Sequence, residues 1–156
     1  MSRPAFVLAA IVVLLDQATK LCILSLVMQP PQVISVAPFF NLVLVWNRGI
    51  TFGLFDSPSQ IVPWLLVALA LVIIVGLTVW LRRVEGLWPI YAMGLIIGGA
   101  IGNVVDRIRL GAVVDFIDLH VGGYHWPAFN LADTAIVAGV VVLIINGLFD
   151  QGNAIE

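Results

Sequence analysis

Charge is what this chain has least of. Of its 156 residues, 10% are Asp, Glu, Lys or Arg and 62% are hydrophobic. A soluble domain carries about 25% charged residues, so a water-exposed globule is excluded. The mean hydropathy of +1.12 marks an integral membrane protein instead. Lys and Arg together number 7 and the net charge is -2. The clustered basic surface that nucleic acid requires is therefore missing, and no nucleic-acid partner is expected. The single cysteine, Cys22, excludes an internal disulfide. Its apolar neighbours make it a small buried or lipid-facing side chain. Neither Ser-x-x-Lys nor Gly-x-Ser-x-Gly occurs, which leaves a serine nucleophile without support. His120, His125 and Asp118 match no usual zinc spacing and read as interfacial polar residues, so no metal or other cofactor is expected.

What is abundant is long apolar sequence. A bilayer-spanning helix needs about 20 apolar residues. Such stretches occur at about 4–28, 61–81, 87–108 and 131–149. The first, with Arg3 ahead of Ala5–Leu15, has the outline of a secretory signal. No small-x-small cleavage site comes after it, however, and apolar residues resume after Lys20, so a retained helix is expected. Gln29-Pro30-Pro31 ends it, because proline lacks the amide donor and disfavours a helical residue before it. Ser57-Pro58-Ser59 is a plausible start for the second span, and Arg82-Arg83-Val84-Glu85-Gly86 a tight polar turn after it. Leu42–Trp46 is β-branched and aromatic and reads as a short strand. An unpaired strand cannot lie in hydrocarbon, so the segment 29–60 is expected on the membrane surface. Phe39, Phe40, Trp46, Phe52 and Phe55 would anchor it at the interface. The segment 109–130 reads as a polar loop. The expected fold class is an all-α integral membrane protein. It is a single polytopic domain of four transmembrane helices, with a small membrane-surface β/loop element between helices 1 and 2. Gly94, Gly98 and Gly102 recur every fourth residue, with Gly99 beside them, which is a close-packing face for another membrane helix.

Four crossings put both termini and the Arg82–Arg83 turn on one side and segments 29–60 and 109–130 on the other. The positive-inside rule favours Arg82 and Arg83 as cytoplasmic. Asp115 and Asp133 then flank one short stretch on the outer face. Each alone has a bland reading, Asp133 as a helix N-terminal carboxylate and Asp115 as a loop residue. Together they have a chemical one. Two close carboxylates do not readily both ionise, so one holds a proton. The ionised member can take a proton from water while its partner polarises a peptide carbonyl. Asn103, Arg107 and Asn130 are nearby polar support. Asp16 and Lys20, four apart on one helical face, read as an ion pair fixing the first helix against its neighbours. Asp106 next to Arg107 reads as a local ion pair. The rival class, a proton-coupled transporter using Asp16 and Lys20 as a relay, is opposed by the clustering of polar residues on one face. A non-enzymatic factor binding lipid-modified proteins is a third reading.

Five blocks occur in order. They are Asp16-Gln17-Ala18-Thr19-Lys20, Asn47-x-Gly49-x-x-Phe52-Gly53, Gly98-Gly99-Ala100-Ile101-Gly102-Asn103-x-x-Asp106-Arg107, Val114-Asp115-Phe116 and Phe129-Asn130-x-Ala132-Asp133. With the four-span layout, the chain closely resembles the bacterial lipoprotein signal peptidases, or signal peptidase II. The resemblance implies an aspartic endopeptidase of the bacterial cytoplasmic (inner) membrane, independent of metal. It would remove signal peptides from diacylglyceryl-modified prolipoproteins, cutting just before the lipidated cysteine. It maps the catalytic dyad onto Asp115 and Asp133. Asn103, Arg107 and Asn130 become site-lining residues, Asp16 and Lys20 the first-helix motif, and Asn47 and Gly49 part of a surface segment that cradles substrate. It further implies partnership with membrane lipid and inhibition by globomycin-like cyclic peptides.

Overall fold

A computed structural model describes residues 2–49 and 61–152. Thr51, Phe52, Gly53 and Phe55, and the helix start at Ser57-Pro58-Ser59, lie outside the described residues, as does part of the surface segment 29–60.

Helix α1 spans Arg3–Cys22 and continues as a π-helical turn, Ile23–Val27, so the first apolar run is one rod. It ends just short of Gln29-Pro30-Pro31. Helices α2 (Ile61–Trp80), α3 (Leu87–Leu110) and α4 (Leu131–Gly152) complete the helical set. All four are long and apolar enough to cross a bilayer, and the chain is a multi-pass membrane protein.

Helix α3 is the axis of the bundle and packs against the other three. Within its apolar span 72% of the residues are buried, against 28%, 11% and 17% in α1, α2 and α4. The glycines explain why. A Cβ at Gly98 would sit 2.7 Å from the Ala9 carbonyl and 2.8 Å from Val12 Cβ, and one at Gly94 would sit 2.7 Å from the Ala5 carbonyl. Gly99 faces Ala132 and Ile136 of α4 in the same manner. Bare backbone thus lets α1 and α4 approach α3 at a distance no side chain would permit. The glycine face is used within one chain. The outer surfaces of α2 and α4 carry exposed Leu65, Val72, Ile144 and Leu148, which is the composition hydrocarbon requires.

The larger departure from expectation is the sheet. The segment 109–130 is not an irregular loop. It contains β3 (Val113–Val121) and β4 (Tyr124–His125), which join β1 (Ile34–Ala37) and β2 (Phe40–Asn47) in a four-stranded antiparallel sheet of order β1-β2-β3-β4. The strand read at Leu42–Trp46 is therefore paired, with Val45 opposite Asp115 and Asn47 opposite Val113. Val113–Val121 alternates poorly because its first half is buried on both faces, which hides the period-two signal. Gly111 turns the chain from α3 into β3. Its φ of 72° is the left-handed cap conformation that glycine adopts without strain, and its N–H caps the Arg107 carbonyl at 3.1 Å.

Two features seat this sheet on the helices. Ile23 and Met28 at the end of α1 pack with Phe116, Leu42 and Leu44 in one apolar cluster. The chain entering α4 is also stapled to β3. The Phe129 carbonyl accepts from the Phe116 and Ile117 amides, and the Phe129 amide donates to the Ile117 carbonyl. That staple returns residues 129–133 to Asp115.

Candidate active site

Asn130 is the N-cap of α4, and the cap geometry sets much of the site. Its Oδ1 accepts from the Asp133 amide at 3.0 Å, while Asp133 Oδ2 accepts from the Asn130 amide at 3.3 Å. This is a reciprocal capping box, in which two orphan amides of the helix start are satisfied by side chains. With Oδ1 committed to an N–H, Nδ2 must face the other way. It donates to Asp115 Oδ1 at 2.7 Å. One asparagine therefore holds both aspartates, and no direct hydrogen bond joins the two carboxyl groups among the described residues.

The partner of each carboxylate is fixed by similar logic. Asn47 Oδ1 accepts from the Gly49 amide at 3.1 Å, so its Nδ2 is turned to Asp115 Oδ2 at 2.9 Å. Lys20 Nζ, which can only donate, meets Asn103 Oδ1 at 3.1 Å, so Asn103 Nδ2 is the atom that donates to Asp133 Oδ1 at 2.7 Å. Asn130 Nδ2 also reaches Asn103 Oδ1, at 3.2 Å. Asp115, on the strand and 1% exposed, has its carboxyl pushed up to about 6. Burial is the main cause, and the nearby Asp133 charge adds to it. Hydrogen bonds from Asn47 and Asn130 and the Lys20 charge pull the other way.

Beside these groups lies a polar cavity of about 160 Å³, lined by Asn47, Gly49, Leu66, Asn103, Arg107, Val113 and Asp133. Asp133 also lines a second, larger hollow of about 600 Å³, whose other walls are chiefly apolar, including Trp126, Pro127, Phe129, Ile136 and Val137. A carboxylate thus stands where a polar cavity meets an apolar groove at the end of a membrane helix. Arg107 contributes its backbone-bound guanidinium, with Nη1 3.4 Å from the Asn103 carbonyl. Its Nε has no hydrogen-bond partner among the described residues.

The structure places the expected site residues in two tiers. Asp133, Asn103, Asn47, Gly49 and Arg107 line the cavity, and Asp115 and Asn130 are buried directly behind it, hydrogen-bonded to its walls. Asp16 and Lys20 lie behind it as the expected ion pair, 2.8 Å apart. Asp106 needs correction. It does not pair with Arg107 but with Lys20, also at 2.8 Å, because i and i+1 on a helix point in different directions. Gln17 acquires a role that its place in the first motif block does not assign. Its Nε2 bridges Asp16 at 3.2 Å and Asp106 at 2.9 Å, and its Oε1 accepts from Arg109 at 3.2 Å. The sequence holds a signal for it, since an amide beside a carboxylate in an apolar helix has to find polar partners. Asp118 is three positions along β3 from Asp115 and so projects from the opposite face. It accepts from Asn41 at 2.9 Å and pairs with His125 at 2.8 Å, and His120 stacks on His125 at a centroid distance of 4.8 Å. No cluster of three or more His, Cys, Asp or Glu suited to a metal occurs among the described residues. Cys22 is exposed on the helix surface, the lipid-facing alternative.

Residues 8–149 match the family described as signal peptidase (SPase) II. The chain belongs to that family, and it is a peptidase. Curated lipoprotein signal peptidases are similar along most of its length. That of Methylorubrum extorquens (strain PA1) is 50% identical over 137 residues, covering 86% of this chain and 79% of its own. That of Azoarcus sp. (strain BH72) is 50% identical over 151 residues, covering 91% and 85%. A solved bacterial membrane enzyme superimposes with a TM-score of 0.82 at 32% identity, covering 96% of this chain and 90% of its own. Signal peptidase II membership and the four-helix membrane fold therefore agree.

Proposed function

We propose that this protein is a membrane-embedded aspartic endopeptidase that removes the signal peptide from diacylglyceryl-modified prolipoproteins, with Asp115 and Asp133 as its catalytic dyad. The observation that carries this reading is the shared asparagine. Asn130 binds one carboxylate, Asp115, through Nδ2 and the other, Asp133, through its cap, and Asp133 lines a polar cavity. Asp115, raised to about 6, is suited to hold a proton and deliver it to the leaving amine. Asp133 acts as the base that takes a proton from water. Arg107, which lines the cavity, supplies a positive charge beside the peptide. The apolar groove beside Asp133 suits a substrate whose lipid is attached next to the scissile bond, because acyl chains can stay in an apolar environment while the peptide enters the polar cavity. The segment containing Asn47 and Gly49 forms one wall for that peptide. Globomycin-like cyclic peptides would compete for the same cavity.

The location that goes with this reading is the bacterial inner membrane. Both termini and Arg82–Arg83 would face the cytoplasm, and the sheet with its dyad would lie at the outer boundary. Reporter fusions at the Arg82 turn and after Gly123 test that orientation, and an extracytoplasmic Arg82 turn would reverse it. The catalytic assignment is tested with purified protein and a diacylated prolipoprotein. Asp115→Asn and Asp133→Asn should each lower kcat by at least about 10²-fold in a protein that still folds, since each removes one member of an acid–base pair worth about 10²–10⁴. Turnover within tenfold of the parent in either variant would remove that residue from the dyad.

A further inference from the structure

A buried cation lies behind the candidate dyad, and the role argued for it rests on the dyad assignment of Asp115 and Asp133. Lys20 Nζ is 2.8 Å from Asp16 Oδ2 and 2.8 Å from Asp106 Oδ2, and all three side chains are at most 3% exposed. Replacing buried charged pairs with apolar groups is often neutral or stabilising, so helix cohesion alone does not account for the arrangement. What the two carboxylates do with their remaining capacity is more specific. Asp16 Oδ1 accepts from the Ala132 amide at 3.0 Å. Asp106 Oδ2 accepts from the Val114 amide at 3.2 Å. Those two amides belong to the residues immediately before Asp133 and Asp115. They come from different elements, α4 and β3, and both are tied to one ammonium through one carboxylate each. Lys20 adds a third tie through Asn103 to the Asp133 carboxylate itself. Gly102 makes room for this, because a Cβ there would lie 2.6 Å from Asp16 Oδ2.

We infer that Asp16, Lys20 and Asp106 form a positioning clamp: one buried cation sets the distance between the two catalytic aspartates by holding the backbone immediately preceding each of them. None of the three lines the cavity beside the dyad. Their effect on chemistry is through geometry, and a displacement of about 1 Å between reacting groups can cost about 10²-fold in rate.

The clamp makes a prediction that neither a helix tie nor a purely electrostatic role makes. The charged groups that act on Asp115 are Asp133, Lys20 and Arg107, and Lys20 is in turn paired with Asp16 and Asp106. Lys20→Met removes a positive charge, so the alkaline limb of the pH profile assigned to Asp115 moves up. Asp16→Asn and Asp106→Asn each remove a negative charge, so that limb moves down. The clamp nevertheless requires kcat to fall in all three, by about 10- to 100-fold, with KM for a diacylated substrate unchanged within about threefold. Lys20→Arg, which keeps a cation between the carboxylates, should recover at least about tenfold of the loss seen in Lys20→Met. The experiment measures kcat, KM and the pH profile in each variant, alongside Asp115→Asn and Asp133→Asn. If Lys20→Met does not fold, the two Asn variants carry the test, since each leaves the lysine one carboxylate and Asn103 Oδ1. The proposal is overturned if kcat stays within about threefold of the parent in the folded variants. It is also overturned if kcat changes track the direction of the pH limb, with opposite signs for the Lys and Asp substitutions. Turnover in Asp115→Asn or Asp133→Asn would defeat the dyad assignment, whereas inactive dyad variants beside unaffected clamp variants would defeat the clamp alone.

Discussion

Asn130 performs two separable jobs, and substituting it allows each to be measured. Asn130→Ala removes the Nδ2 donor 2.7 Å from Asp115 and the Oδ1 acceptor that caps α4. A hydrogen bond to a charged group is worth about 1.5–3 kcal/mol, and one pKa unit corresponds to about 1.36 kcal/mol, so losing the donor moves the Asp115 carboxyl by about one to two units. The sign depends on which form the donor favours. Nδ2–H stabilises the ionised carboxylate, so removing it makes ionisation harder and the value rises. From about 6, the alkaline limb of kcat/KM should move to about 7–8. The cap loss is a separate cost of about 1 kcal/mol to the start of α4.

Asn130→Ser separates the two effects. A serine hydroxyl caps a helix as well as asparagine does but is too short to reach Asp115. It should restore most of the stability while leaving the limb shifted upward. The assay is the pH dependence of kcat/KM for a diacylated peptide in detergent micelles between about pH 5 and 9, paired with thermal unfolding. A limb that stays put or moves down in both variants would refute the argument that Asn130 holds the ionised form of Asp115.

Other expectations rest on single features of the structure. Gly98→Val should destabilise the bundle by about 1–3 kcal/mol, because Cβ alone already meets Ala9 and Val12 below 3.0 Å; Gly147→Ala, with nothing within 4 Å, should be neutral or slightly stabilising in thermal unfolding. Asp118→Asn should leave kcat unchanged, since that carboxylate lies on the opposite face of β3 from the cavity. Burial disfavours the charge on Asp118, but its bonds to His125 and Asn41 outweigh this and hold its carboxyl below the ordinary value. Its contribution to stability is therefore present above about pH 4 and lost as pH falls further, so the variant should narrow the difference from the parent only in acid. Chelators should leave peptidase activity unaltered, and reversible inhibition by a chelator, restored by added metal, would contradict a dyad working without metal.

How much of the molecule is legible in its sequence depends on which interactions have a sequence period. Helices have one, and their boundaries are marked where apolar runs meet Gln29-Pro30-Pro31 and Arg82-Arg83; the cap of α4 is not legible, since Asp133 reads as the helix-start carboxylate and the cap is Asn130. The glycine spacing on α3 is likewise local, although it cannot say whether the partner helix belongs to the same chain. The sheet is half legible. Leu42–Trp46 reads as a strand on composition, but its partner β3 lies about seventy residues away, and nothing local in Val113–Val121 announces the pairing. The site is legible as residues and opaque as geometry. Asp106 illustrates the limit. Its neighbour in sequence is Arg107, its partner in space is Lys20 on another helix, and only the crossing of α1 over α3 makes that choice.

That crossing also bears on why so costly an arrangement persists in a lipid-soluble chain. Asp16, Lys20, Asn103, Asp106, Asp115 and Asn130 are all buried, each at 9% exposure or less. An unpaired polar group at this depth would cost several kcal/mol, so the network is tolerable only if its members are mutually satisfied. Satisfaction removes freedom: the orientations of Asn47, Asn103 and Asn130 are each set by a single partner that can only donate or only accept. A mobile carboxylate pair at a membrane boundary would lose its spacing to every lipid fluctuation. One built into a partnered polar core cannot move without breaking several hydrogen bonds at once. The same low-dielectric surroundings that make the groups expensive therefore hold two aspartates from separate elements around one asparagine.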